Sequence, residues 1–314
     1  MSAGASGLAV GTACYLFASV FWGLNIPLTA ELLKTFDPVW LTLCRYAIAA
    51  SLLGALVGAT LGPGRLRSPI PLARVAILGL FVSGFLVAFT VGLRLTDPVT
   101  AAAVIAGSPV YVAVVARLLV RAPLARGFWG ATALTILGAG IAIAGRADVG
   151  ADGGRSQGGE ALLVASMASW TAYSIYAQRW FTSDVPQLRR TWLSSAAALP
   201  WLLAFWLAAR AGGLAGAPNL NPDAVSLAYL LITAILSTAL STVAWNIGVA
   251  RLGIAVGGMW QNTVPVFAVL ISLLVFGVVP SGAQVLGGAV VLAGVLWMQW
   301  HTVRSALRPL APRV

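Results

Sequence analysis

The residues with most scope for chemistry lie in two short stretches: Ala244-Trp245-Asn246-Ile247-Gly248 and Met259-Trp260-Gln261-Asn262-Thr263-Val264-Pro265. There, indoles, amides and a proline interrupt otherwise apolar sequence. Asparagine is costly in lipid, so Asn246 should face a cavity or a partner helix. Ser237, Ser241 and Trp245 fall at i, i+4 and i+8, one helical stripe of hydroxyls ending in an indole. Such a stripe suits a bound group with one polar end and one flat apolar end. The alternative is that the hydroxyls bond back to their own helix while Trp245 packs. Pro265 lacks an N–H and leaves a carbonyl one turn earlier, near Gln261, without its helical partner. Beside Trp260, Gln261 and Asn262, that carbonyl could receive an ammonium group, or neighbouring helices could satisfy the kink.

Earlier in the chain, Trp22 and Asn25 lie three apart, followed by Pro27, and Trp170 and Tyr173 repeat that spacing. Phe85 and Phe89, four apart, give a third aromatic face. Trp22, Phe85, Phe89, Trp170, Trp245 and Trp260 all lie deep in apolar runs, where lining a cavity and packing a core are equally open. Arg45, two turns into its run, is the only cation at that depth. It either binds a carboxylate or serves the structure, snorkelling outward or donating to helix-end carbonyls.

What is missing narrows the chemistry further. Every Asp and Glu falls at the end of an apolar run or between runs, and the single histidine, His301, lies near the end of the last one. A proton relay or cation site therefore has no evident residue. Neither a nucleophile–base pair nor a metal cluster is present, and Cys14 and Cys44 have no ligand spacing, which excludes an enzyme and any cofactor or metal. A phosphorylated substrate would need several buried cations, and one arginine is too few. A small zwitterionic or neutral substrate fits indoles, amides and hydroxyls. An amino acid with an aromatic or branched side chain is the simplest such compound.

The elements that must position these residues are membrane helices. The chain has 314 residues, 60% hydrophobic and 9% charged, with a mean hydropathy of +0.93. A soluble domain carries about 25% charged residues, so this composition needs a lipid bilayer as its solvent. Ten apolar runs are expected as spans: 11–33, 38–61, 72–93, 98–119, 125–145, 159–181, 187–209, 225–249, 254–278 and 282–302. No cleavage site follows the first ten residues, so the first span is expected to be retained. The net charge of +11 comes from arginines scattered singly or in pairs between runs, a topology signal rather than a nucleic-acid surface. With the N-terminus inside, thirteen cations fall in cytoplasmic segments and five in external ones, so both termini are expected in the cytoplasm.

The two halves also repeat. Ala88, Phe89, Gly92 and Pro109 return as Ala244, Trp245, Gly248 and Pro265, each 156 positions later, and Ala18-Ser19 returns as Ala168-Ser169. The expected organisation is a five-helix repeat over 11–145, a polar linker over 146–158, a second repeat over 159–302 and a cytoplasmic tail over 303–314. Five spans is an odd number, so the second copy is inverted, an arrangement that typically gives a site at the membrane midplane. Gly84, Ala88 and Gly92, Gly54 and Gly58, and Gly253 and Gly257 mark faces where helices should approach closely.

Ten spans from a five-plus-five duplication, Trp22-Gly23 in the first span and prolines in the fourth and ninth (Pro109, Pro265) resemble the EamA-type drug/metabolite transporter superfamily. The resemblance covers nearly the whole chain. Within it, Ala244-Trp245-Asn246-Ile247-Gly248 is similar to the eighth helix of the YddG aromatic amino acid exporters. One departure is Arg121-Ala122-Pro123, where many members carry a glutamate after the fourth helix. The resemblance implies export of aromatic and other neutral amino acids from a bacterial inner membrane, through a cavity lined by both halves. The lining expected from the residues above is Trp22, Asn25, Phe85, Phe89, Trp170, Tyr173, Ser241, Trp245, Asn246, Trp260 and Gln261, with Arg45 as a carboxylate partner. An exporter of drugs or other neutral metabolites, or a non-transporting sensor or scaffold, would share the same scaffold. Oligomeric state is open.

Overall fold

Several helices begin where the sequence offers an aspartate cap. Asp37 accepts bonds from the backbone N–H groups of Val39 and Trp40, and Asp97 from those of Val99 and Thr100. The proline after each occupies the first helical turn, where its missing N–H costs nothing. Asp223 caps another helix through Val225 and Ser226. Three of the acids that the sequence keeps out of the apolar runs thus serve as helix starts.

A computed structural model describes residues 2–121, 124, 127–144, 158–252 and 260–306. Its regular elements are all helical, with no strand among the described residues. They are α1 (Ser2–Leu32), α2 (Pro38–Leu61), α3 (Leu72–Arg94), α4 (Pro98–Ala106), α5 (Ser108–Val120) and α6 (Phe128–Ala144) in the first half. The second half holds α7 (Gly159–Trp180), α8 (Gln187–Ala211), α9 (Ala224–Ile232), a π-helical segment (Thr233–Leu240), α10 (Ser241–Leu252), α11 (Val264–Phe276) and α12 (Gly282–Ala306). Length and hydropathy mark five helices as able to cross a bilayer alone, or six if α4 and α5 form one bent span. The 17 residues of α6 reach only about 26 Å, short of the ~30 Å hydrocarbon core. The 22-residue α7 is long enough but carries several hydroxyls along its length.

Continuous helices are not what two of the expected runs form. The run 98–119 breaks at Gly107, where α4 and α5 meet at 49°. Pro109 supplies no N–H for the carbonyl one turn back, and its ring crowds that turn. The run 225–249 is helical throughout but passes through π geometry over Thr233–Leu240. Two hydroxyls there bond carbonyls five residues back, Thr238 Oγ1 to Thr233 O at 2.8 Å and Ser241 Oγ to Leu236 O at 2.7 Å. They reinforce the wider winding. In the run 254–278 only Trp260 onward is described, as a turn at Asn262-Thr263 leading into α11. Residues 146–157 of the expected linker, the tail beyond Ala306, Pro123, Gly253, Gly257 and Met259 lie outside the described residues, as does the side chain of His301.

Packing is reciprocal between the halves. In the first half α3 lies against α7 and α8, while the equivalent part of the second half, the π segment with α10, lies against α1 and α2. Likewise α5 packs on α7, and α11 packs on α1. The remaining helix of each half, α6 and α12, pair with each other. Glycines permit the close approaches. A Cβ at Gly92 would sit 2.8 Å from the Gly159 carbonyl oxygen, and one at Gly138 would sit 2.5 Å from that of Gly287. Gly84 faces Ser169 and Gly54 faces Trp192, but Gly58 faces open space, so that member of the expected glycine pairs packs nothing. Ser19 on α1 donates to the Trp260 carbonyl and Ser169 on α7 donates to that of Phe81. Each ties the first helix of one half to the other half.

Candidate functional site

Where these interlocked helices meet, they leave a cavity of about 160 Å³. Comparable cavities of ~150 Å³ admit one benzene ring, so the space fits one planar or branched side chain. Both halves build its wall. The first half contributes Trp22, Asn25 and Ile26 from α1, Arg45 and Tyr46 from α2, Phe85, Leu86 and Phe89 from α3, and Ile105 and Ser108 flanking the Gly107 break. Met167 and Trp170 come from α7, Ser237 and Thr238 from the π segment, and Thr242, Gln261 and Val264 complete the wall.

The aromatic groups form two backed surfaces. Trp22 has its ring centroid 5.1 Å from that of Trp245, and Trp245 in turn meets Tyr15 edge-on at 5.0 Å. Across the first half, Phe85 lies 5.9 Å from Phe89 and 5.1 Å from Trp170, with Tyr173 behind Trp170 at 5.1 Å. Such tilted contacts hold the rings in place and leave one face of each surface free for a ligand.

Arg45 is the charged group of this wall, and it is only 3% exposed. It does not snorkel outward. One terminal nitrogen donates to Asn25 Oδ1 and to Thr29 Oγ1, both at 3.1 Å, and Nε has no hydrogen-bond partner. Both acceptors are neutral, and the ion pair found among the described residues, Lys34 with Glu31, lies elsewhere. One turn before Arg45, Thr42 donates to the Pro38 carbonyl at 2.7 Å and shares a 3.1 Å hydrogen bond with Thr90 that links α2 to α3. A buried cation without a counter-ion costs several kcal/mol, a cost that an anionic ligand group beside the guanidinium would offset. Among the described residues the wall holds no Asp, Glu, Lys or His.

Of the residues expected at the site, Trp22, Asn25, Arg45, Phe85, Phe89, Trp170 and Gln261 line the cavity, while Tyr173, Ser241, Trp245, Asn246 and Trp260 do not. Trp245 and Tyr173 sit one layer back, supporting Trp22 and Trp170. Asn246 donates to Thr191 Oγ1 on α8 at 2.9 Å, so its partner is a helix and not the cavity. Ser241 bonds back to Leu236. The stripe read at i, i+4 is in fact Ser237 and Thr242, five apart, because π winding sets the period there. Pro265 withholds an N–H from the Gln261 carbonyl one turn back, while the neighbouring Trp260 carbonyl is occupied by Ser19 Oγ, Thr263 N and Thr263 Oγ1. Ser237 Oγ is buried without a partner. Tyr46 and Thr238 gave no signal in the sequence beyond their neighbours, whereas Ser108 stands next to Pro109, which recurs as Pro265.

Known proteins provide the remaining observation. The model of the EamA-like transporter family matches this chain twice, over residues 9–144 and 157–300. An uncharacterized transporter of Bacillus subtilis (strain 168), YyaM, is 24% identical over 288 residues, covering 88% of this chain and 90% of that protein. A solved crystal structure, 20% identical, superposes with a TM-score of 0.64 over 96% of this chain and 99% of the other, a likeness of fold.

Proposed function

The chain belongs to the EamA-like transporter family, a transporter and not an enzyme, and from that premise we propose that it exports neutral, mainly aromatic or large apolar amino acids. The observation that carries this reading is the cavity wall, where two backed aromatic surfaces accompany a buried arginine that has no counter-ion. An aromatic side chain occupies the ring-lined part, and the substrate carboxylate pairs with the Arg45 guanidinium. A neutral drug would fill the same volume but leave the arginine uncompensated, which favours the amino acid over that alternative.

The chain works by alternating access between inverted five-helix repeats, 11–145 and 159–302, joined by 146–158 in a ten-span, multi-pass protein of the bacterial inner membrane. The reciprocal packing of α3 on α7 and of α10 on α1 supports such a relation, since a two-fold axis in the membrane plane exchanges those pairs. The arginine distribution supports cytoplasmic termini. Purified full-length protein in liposomes should exchange labelled phenylalanine across the bilayer faster than protein-free vesicles. Exchange no faster than in those vesicles would refute the substrate.

A further inference from the structure

The charge of the cavity points to a substrate class that amino acids only partly satisfy. The inference rests on the reading above that this cavity is the substrate site. Among the described residues its wall carries one full positive charge, on Arg45, and no carboxylate. The two bonds made by Arg45 go to uncharged oxygens, so within the wall its positive charge is uncompensated and favours an anionic ligand group. An ammonium group meets the opposite situation. Asn25 Oδ1 is already engaged by Arg45 and by Thr29. The hydroxyls of Thr238 and Thr242 donate to backbone carbonyls and offer only neutral lone pairs. At the Gly107 break the C-terminus of α4 and the N-terminus of α5 abut, so their opposite partial charges largely cancel and Arg45 sets the sign.

We infer that the cavity binds aromatic monocarboxylates that lack an amino group, such as arylacetates, at least as tightly as it binds the corresponding amino acids. The carboxylate neutralises Arg45, and the aryl ring lies between the Trp22 surface and the Phe85–Trp170 surface. Nothing charged then remains unpaired. The amino group of a zwitterion, by contrast, gives up water without gaining an ionic partner and lies near a fixed positive charge.

The test is competition for labelled phenylalanine on purified full-length protein, with phenylalanine, phenylacetate and phenethylamine as unlabelled ligands. All three share a benzyl group and differ in which charged groups it bears, the phenylacetate carboxylate sitting one carbon nearer the ring than that of phenylalanine. Phenylacetate should compete at a concentration no higher than phenylalanine. Phenethylamine should need at least about tenfold more, since an unpaired cation beside Arg45 is penalised. Arg45→Gln should abolish direct binding of labelled phenylacetate, and Arg45→Lys should keep part of it because the charge remains. Binding of phenylalanine without competition by phenylacetate, or equal competition by phenethylamine, would overturn the inference and leave the proposed substrate standing. Direct binding of labelled phenylacetate with none of phenylalanine would uphold it while removing the amino acid. Binding of neither would end both.

Discussion

Replacing Arg45 with methionine separates what this residue does for folding from what it does for transport. Methionine is unbranched and fills irregular gaps, so the cavity wall keeps its shape. The folded protein loses two hydrogen bonds to neutral oxygens, each worth about 1.5–3 kcal/mol when one partner is charged. It also escapes the desolvation of a guanidinium that is 3% exposed and has no counter-ion, a cost of several kcal/mol. Asn25 Oδ1 is not orphaned, because Thr29 Oγ1 lies 3.4 Å away and can donate to it. The terms nearly balance, so Arg45→Met should melt in detergent within about 1 kcal/mol of the unaltered protein, or above it. Transport has no such compensation. A lost charge-assisted bond of about 3 kcal/mol corresponds to a fall of roughly 100-fold in affinity for phenylalanine. Intrinsic fluorescence melts and liposome exchange measure the two quantities on the same preparation. Destabilisation beyond about 3 kcal/mol, with exchange lost only in proportion to folded protein, would make Arg45 a structural residue and refute the reasoning.

Asn246→Ala removes the bond to Thr191 and no part of the cavity wall, so phenylalanine affinity should stay near wild type while stability falls by about 1 kcal/mol. A large loss of affinity in a normally folded variant would return Asn246 to the site. Gly138→Ala forces a methyl group into the Gly287 backbone and should cost about 1–3 kcal/mol, read as a lower melting temperature with unchanged substrate preference. Exchange should be flat between about pH 5.5 and 8, because nothing on the wall has an ordinary pKa in that window. Outside the spans, the hydroxyl of Thr182, then Arg190 and Arg65, hold the Asp184 carboxyl below the usual range. A lowered carboxyl pKa stabilises above its unfolded value of about 3.9 and loses that contribution as pH falls through the lowered one, which leaves the same window untouched. A steep pH dependence of exchange would require a titrating group that the wall does not contain.

Much of this protein is written along the chain because lipid enforces it. Burying backbone in hydrocarbon requires helices, so the apolar runs beginning at Pro38 and Pro98 read directly as helical, and α2 and α4 start at those residues. The 156-residue offset places Gly92 and Gly248 at equivalent positions, and the structure packs them against Gly159 and Tyr15 of the opposite halves. The depth and isolation of Arg45, and the aromatic residues Trp22, Phe85, Phe89 and Trp170, were likewise legible in residue types and spacing. Which face each side chain presents was not, because direction depends on winding and on the partner helix. The π segment shifts the hydroxyl period from four to five, so Ser237 and Thr242 reach the cavity where Ser241 does not. Tertiary packing alone sends Asn246 to Thr191 and sets Trp245 behind Trp22. It also leaves Arg45 between two neutral oxygens, because a side chain's partner is chosen by whichever helix lies opposite, a fact that no single span encodes.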